Sequence, residues 1–133
     1  MAITVDSFNP KDITLIVGKE SLEAFFQDTT IDIEKMEDDH TSTVGLNGNV
    51  IFNESNNNMH SITFSLLPGS TNDNYLRGLR AARNTFPCYY TNPSGEKMAL
   101  IGCRFQKKAT KTDGKEVGAR EWVILVADGQ DLT

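Results

Sequence analysis

The chain has 133 residues, enough for one hydrophobic core, with 38% apolar and 23% charged side chains and a formal charge of −5. That balance argues against nucleic-acid binding, which asks for a net basic surface, and no apolar run approaches the ~18–20 residues needed to cross a bilayer. The opening stretch from Met1 to Asp12 has no basic region followed by an apolar one, so no secretion signal is expected.

In chain order, Ile13 to Val17 is β-rich and ends at Gly18. Thr30 to Met36 alternates, with Ile31 and Ile33 on one face and Asp32 and Glu34 on the other. Asn47-Gly48 is a strong hairpin signal joining Thr41–Leu46 to Asn49–Asn53. Ser61 to Leu67 alternates again, setting Ile62, Phe64 and Leu66 against Ser61, Thr63 and Ser65. Thr71 is a candidate N-cap for a helix from about Asn72 to Arg83, with Tyr75, Leu76, Leu79 and Ala82 on one stripe and Arg77, Arg80 and Arg83 on another. The helix should end before Phe86-Pro87, because a residue preceding proline avoids helical geometry. Phe86–Thr91, Lys97–Gln106 and Ala119–Ala127, separated by Pro93-Ser94-Gly95 and Asp113-Gly114, read as an antiparallel meander. The fold expected for residues 1–133 is one mainly β domain, an antiparallel β-sandwich or open barrel with an amphipathic helix packed on it.

Two features remain after the elements are placed. Charge is uneven: from Asp28 to Asp39 six carboxylates (Asp28, Asp32, Glu34, Glu37, Asp38, Asp39) stand against Lys35 alone, which accounts for the whole excess. From Arg104 to Arg120 six bases (Arg104, Lys107, Lys108, Lys111, Lys115, Arg120) face only Asp113 and Glu116. The last strands are apolar on both faces, with Met98 and Leu100 opposite Ala99, Ile101, Cys103 and Phe105, and Val123 and Leu125 opposite Trp122, Ile124 and Val126. A small antiparallel sheet normally keeps one face wet, so a second cover is needed, either the helix or another subunit.

Catalysis finds little footing. His40 and His60 are the only histidines, both in polar sequence, and no Gly-x-Ser-x-Gly or Cys-His pairing is present. Glu37-Asp38-Asp39-His40 offers metal-binding atoms, but adjacent residues of one loop lack convergent spacing, and a solvated acidic loop is expected instead. Cys88 and Cys103 are expected to be free buried thiols, as suits a reducing compartment. No cofactor is expected.

The order of Glu34-Lys35-Met36-Glu37-Asp38, Gly45-Leu46-Asn47-Gly48, Ser61–Leu67, Ser70–Leu76, the segment FPCYYTNPSGEKMALIGCRFQKKA and the closing REWVILVAD resembles the tail tube family of contractile-tailed bacteriophages over roughly residues 12–128. No single motif carries the resemblance; its order and spacing do, and the stretch Gln27–Thr30 departs from it. The resemblance implies two packed antiparallel sheets with a flanking helix and six copies in a ring whose strands complete an inner barrel. Stacked rings would then form a genome conduit inside a contractile sheath, assembled in the bacterial host cytoplasm. It implies further copies of the chain, the tail sheath protein, and baseplate and tail-terminator proteins as partners, with double-stranded DNA passing through unbound. The tube of type VI secretion systems shares that architecture. Another ring-forming tail or baseplate component of the same fold, and a monomeric β-sandwich binding module, are the alternatives.

Under this resemblance the charges and faces acquire expected roles. Asp32, Glu34, Thr63 and Ser65 are candidates to line the lumen, since acids repel phosphate and short hydroxyls offer no stacking platform. Val123, Leu125, Met98 and Leu100 are candidates for apolar inter-subunit contact. Glu37, Asp38 and Asp39 against Lys107, Lys108 and Lys111 are candidates for stacking one ring on the next. Arg77, Arg80 and Arg83 are candidates to face the sheath.

Overall fold

The computed structural model describes residues 13–26, 29–111, 113–116 and 118–132; Asp28, counted in the acidic segment, lies outside them. Ten strands and one helix follow the chain: β1 (Thr14–Val17), β2 (Glu20–Ser21), β3 (Asp32–Lys35), β4 (His40–Val44), β5 (Val50–Glu54), β6 (His60–Leu66), α1 (Thr71–Ala82), β7 (Phe86–Thr91), β8 (Lys97–Phe105), β9 (Thr110–Lys111) and β10 (Arg120–Asp131). The expected meander is β7-β8-β10, and its last strand runs four residues past Ala127, pairing Gln130 with Ala99 and Asp131 with Met98.

Eight strands form one antiparallel sheet in the order β2-β1-β7-β8-β10-β6-β3, with β9 beside β10. The sheet must roll. In a flat sheet β2 and β6 would stand about 24 Å apart at ~4.8 Å per strand. Phe25, four residues beyond the end of β2, nevertheless bridges Leu66 on β6, and an extended chain of that length reaches only about 14 Å. Hydrogen bonds from Leu67 N to Ala24 O (2.9 Å) and from Phe26 N to Ser65 O (3.0 Å) fix this crossing. The two layers of the expected sandwich are therefore opposite walls of one curled sheet, an open barrel.

Alternation fills the barrel. Ile62, Phe64 and Leu66 on β6 meet Trp122, Ile124 and Val126 on β10, and all are buried with Leu15, Val17, Cys88, Leu100 and Cys103. Phe105 lies 5.1 Å from the Trp122 ring and 5.2 Å from the Phe86 ring, spacings at which aromatic pairs attract beyond their area.

The helix begins one residue earlier than expected. Ser70 is the N-cap, its Oγ accepting from Asp73 N at 3.2 Å, and Thr71 is already helical. Ser70 Oγ also donates to Leu67 O at 2.9 Å, locking the turn that leads in. Asp73 then turns inward. Its fully buried carboxylate accepts from the Trp122 indole N–H at 3.1 Å and pairs with Arg77 at 3.1 Å. Asn72 turns toward the crossing segment, its Oδ1 accepting from Glu23 N (2.8 Å) and Ala24 N (3.0 Å) while its Nδ2 donates to Glu20 Oε1 (3.0 Å) and Ser21 O (3.3 Å). Two neighbouring side chains thus fasten the helix both to the core and to the strand crossing that closes the barrel.

Gly102 has φ of +71°, and a Cβ there would stand 2.9 Å from the Cβ of Ala127. It sits in a β-bulge, where the pairing of β7 with β8 shifts between Phe86–Cys103 and Cys88–Leu100. The bulge resets alternation on β8. Leu100 joins Cys103 in the core, Ile101 is left 48% exposed, and Met98 packs against the core.

Replacing Asp73 with Ala removes the partner of a buried indole N–H and is expected to cost about 2–4 kcal/mol of stability. Urea unfolding followed by Trp122 fluorescence measures it, and a change under about 0.5 kcal/mol would show that Asp73 does not anchor the helix.

Candidate functional site

Most of the chemistry-bearing residues lie on surfaces, not in a cleft. His60 is buried with its Nδ1 2.9 Å from Asn58 O, and its ring occupies the space where a side chain on Gly129 would go. His40 is exposed on β4 opposite Glu54. Of its acidic neighbours, Asp39 pairs with Lys35, and Glu37 accepts from Ser55 Oγ at 3.3 Å. Among the described residues no three His, Cys, Asp or Glu side chains converge in a manner suited to a metal. Cys88 and Cys103 are both buried and unbridged; the Cys103 thiol beside Cys88, together with burial, pushes the Cys88 thiol far up.

The outer face of β3, β6 and β10 gathers two groups that the sequence suggested would be separate. Register places Asp32 opposite Thr63 and Glu34 opposite Ser61. On the other side of β6, Val123 stands opposite Thr63, Leu125 opposite Ser61 and Glu121 opposite Ser65. Directly paired residues share a face, so the lumen candidates Asp32, Glu34, Thr63 and Ser65 form one continuous surface with Val123 and Leu125. A shallow depression within it is lined by Thr29, Thr30, Asp32, Thr63, Ser65 and Glu121. Ile31 and Ile33 pack on the core behind it. The other two inter-subunit candidates need correction. Leu100 is fully buried in the chain's own core and Met98 is packed against it, because the Gly102 bulge breaks the strict alternation that put them outside.

The β4–β5 hairpin forms a second sheet by itself, and all ten of its strand residues are exposed. Its apolar side chains are uncovered: Leu46 at the turn, Val44, Val50, Ile51 and, 70% exposed, Phe52. A two-stranded hairpin alone is marginal in water, and this one also presents a bare apolar surface. The sequence signal was present in the unbroken run Val50-Ile51-Phe52, which alternation cannot bury on one side. Glu37, Asp38, Asp39 and Glu54 stand at the hairpin's base, all exposed.

The basic residues also regroup. Arg77 is tied to Asp73 one helical turn back, so it does not act with Arg80 and Arg83 as a single stripe. Arg83 ends the helix with φ of +56°, a left-handed conformation that turns the chain after its N–H bonds Arg80 O at 3.2 Å. There Arg80 and Arg83 meet Arg104 and Lys107 around a cavity of about 250 Å³ floored by Leu79, Phe86 and Phe105. Lys108 and Lys111 lie outside this cavity, Lys111 on β9 opposite Arg120. The loop between β9 and β10 is fastened by Asp113, whose two oxygens accept from Arg120 at 3.2 and 3.1 Å.

Full-length structural likeness points in one direction. The chain superposes on a chain of the anti-feeding prophage cap, described as a tube terminating cap, with a TM-score of 0.66 at 14% identity, covering 100% of this chain and 96% of that one. A chain of the sheath/tube terminator of an extracellular contractile injection system, PVC, gives 0.60 at 12% identity over 98% and 100%. A chain of the PVC sheath-tube complex gives 0.59 at 12% identity over 96% and 92%. No protein-family profile and no curated protein matches the sequence. The protein shares its fold with chains of a tube terminating cap, a sheath/tube terminator and a sheath-tube complex of contractile injection systems.

Arg120 holds the Asp113 carboxyl below its ordinary value near 3.8, and Asn58, with Gln130, does the same for Asp128. Both pKa values are lower folded than unfolded, so these carboxylates contribute stability above the ordinary value and lose it as pH falls through the lowered ones. The urea midpoint is expected to hold from about pH 7 to 5 and to fall between about pH 4 and 2. Replacing Asp113 and Asp128 with Asn should flatten that part of the decline.

Proposed function

We propose that this chain is a structural subunit of a contractile tail, a ring-forming protein of the tube or of the tube's end. The observation that carries this reading is the β4–β5 hairpin, an arm whose apolar side chains find no cover among the described residues. A second copy supplies that cover most simply, because a ring presents every arm with an identical receiving surface. The full-length likeness to a tube terminating cap and a sheath/tube terminator supports the class, and serves a tube end as well as the tube.

The remaining surfaces fit such a ring. Among the described residues β3 has no strand on its outer edge over Asp32–Lys35, an edge that a neighbouring copy would pair with. The acid and hydroxyl face of Asp32, Glu34, Thr63, Ser65 and Glu121 is suited to a channel wall along which DNA or another polyanion passes without adhering. Val123 and Leu125 lie half-buried on that same face, so contact between subunits falls mainly to the hairpin and the sheet edge. A surrounding sheath, a baseplate and a terminator would be the heterologous partners, and the particle would be a phage tail or a related injection machine.

Phe52→Asp combined with Ile51→Asp should leave a folded chain, with a melting temperature within a few degrees of the parent, because neither side chain contributes to the core. Sedimentation velocity and negative-stain microscopy should then show monomers where the parent forms rings. Stacks of many rings from the parent favour a tube subunit, and single closed rings favour a tube end. Rings of unchanged abundance from the double variant would remove the hairpin, and with it the main support for this function.

A further inference from the structure

The cavity at the C-terminal end of α1 joins two basic groups that are far apart in sequence. Arg80 and Arg83 come from the helix, Arg104 from the end of β8 and Lys107 from the loop after it. None of the four has a salt-bridge partner among the described residues, and no carboxylate lines the cavity. Four cations around one opening repel each other, and no carboxylate among the described residues relieves that. The floor is apolar, formed by Leu79, Phe86 and Phe105. Such a cavity fits a carboxylate-bearing peptide segment: the guanidinium groups take the carboxylates in paired hydrogen bonds, and the floor takes a methylene stem or an apolar side chain.

We infer that this cavity receives the acidic base of the β4–β5 hairpin, residues Met36 to Asp39 with Glu54, from a second copy of the chain. The inference rests on the ring-forming reading and names the contact that passes from one copy to the next. Complementarity carries it. The formal charge is −5, and the stretch from Asp28 to Asp39 accounts for all of it. Within that stretch Asp38 makes no ion pair among the described residues, and neither does Glu54 across the hairpin base. Met36, 52% exposed beside these acids, supplies an apolar side chain for the floor. Donor and receiver are on different surfaces of one chain, the arrangement that makes a contact head-to-tail and able to propagate. It also revises the charge pairing read from sequence. Lys107 acts with Arg80, Arg83 and Arg104, while Lys108 and Lys111 stand outside the contact.

A fluorescein-labelled peptide covering residues 32–39, titrated with the full chain and read by anisotropy, tests the cavity without requiring rings to form. Binding should saturate at low ionic strength and weaken at least about tenfold at about 0.5 M salt, where charges are screened within a few ångström. A chain carrying Arg80→Glu, Arg83→Glu, Arg104→Glu and Lys107→Glu should lose binding by a similar or larger factor, with its circular dichroism unchanged. A peptide with its acids replaced by Lys should bind that variant and not the parent. Lys108→Glu with Lys111→Glu should bind the original peptide within about twofold of the parent. Equal binding by the parent and the four-site variant overturns the assignment. Absence of binding by either overturns it too, and leaves the cavity to an acidic segment of a different protein. If the peptide binds as expected but the intact chain forms no rings at any concentration, the ring-forming reading fails while the cavity's chemistry stands.

Discussion

The buried Asp73 carboxylate is the constraint on which the rest of the fold depends. It is fully buried, and a polar group there is tolerated only when its oxygens are engaged. Trp122 and Arg77 engage them, so the helix can dock in one rotation and at one height along β10. Asn72, the preceding residue, is then forced toward the crossing between β2 and β6, where four backbone and side-chain groups need partners. One polar anchor therefore sets helix orientation, barrel closure and, at the helix's other end, the position of Arg80 and Arg83.

Curling a single sheet has a further consequence for the surface. A flat sheet of this size would leave two free edges; rolling brings the β2 side to β6 and leaves β3 paired on one side only among the described residues. The hairpin is excluded from the roll because its strands pair only with each other. The chain thus keeps its core closed and its arm exposed, within a fold it shares with chains of a tube terminating cap, a sheath/tube terminator and a sheath-tube complex. The charged groups follow the same division, with acids at the arm's base and bases around the cavity at the helix end.

Much of this was legible in the sequence, for a definite reason. Period-two alternation in Ser61–Leu67 and Glu121–Ala127, the Asn47-Gly48 turn and the helical stripe of Leu76 and Leu79 are local signals, and local sterics and solvation are enough to fix them. The faces of β3, with Ile31 and Ile33 inward and Asp32 and Glu34 outward, follow from the same rule. Where alternation was locally broken, the sequence misled. Gly102 looked like one more residue of a strand, and only its left-handed conformation in a bulge returned Leu100 to the core and exposed Ile101.

By itself, then, the sequence determined the class of the protein: a mainly β, antiparallel domain with one amphipathic helix and a segregated charge. Only the tertiary structure decided which strands are neighbours, and therefore what each surface contains. Pairing β6 with both β3 and β10 put Thr63 and Val123 on one face, although they are 60 positions apart in the chain. The tertiary fold also brought Arg80 and Arg83 of α1 to the same cavity as Arg104 and Lys107. The physical reason is range. Propensity and alternation act over a few residues, whereas a shared face or a cavity depends on long-range pairing, settled by the burial of Asp73, Trp122 and the apolar core together.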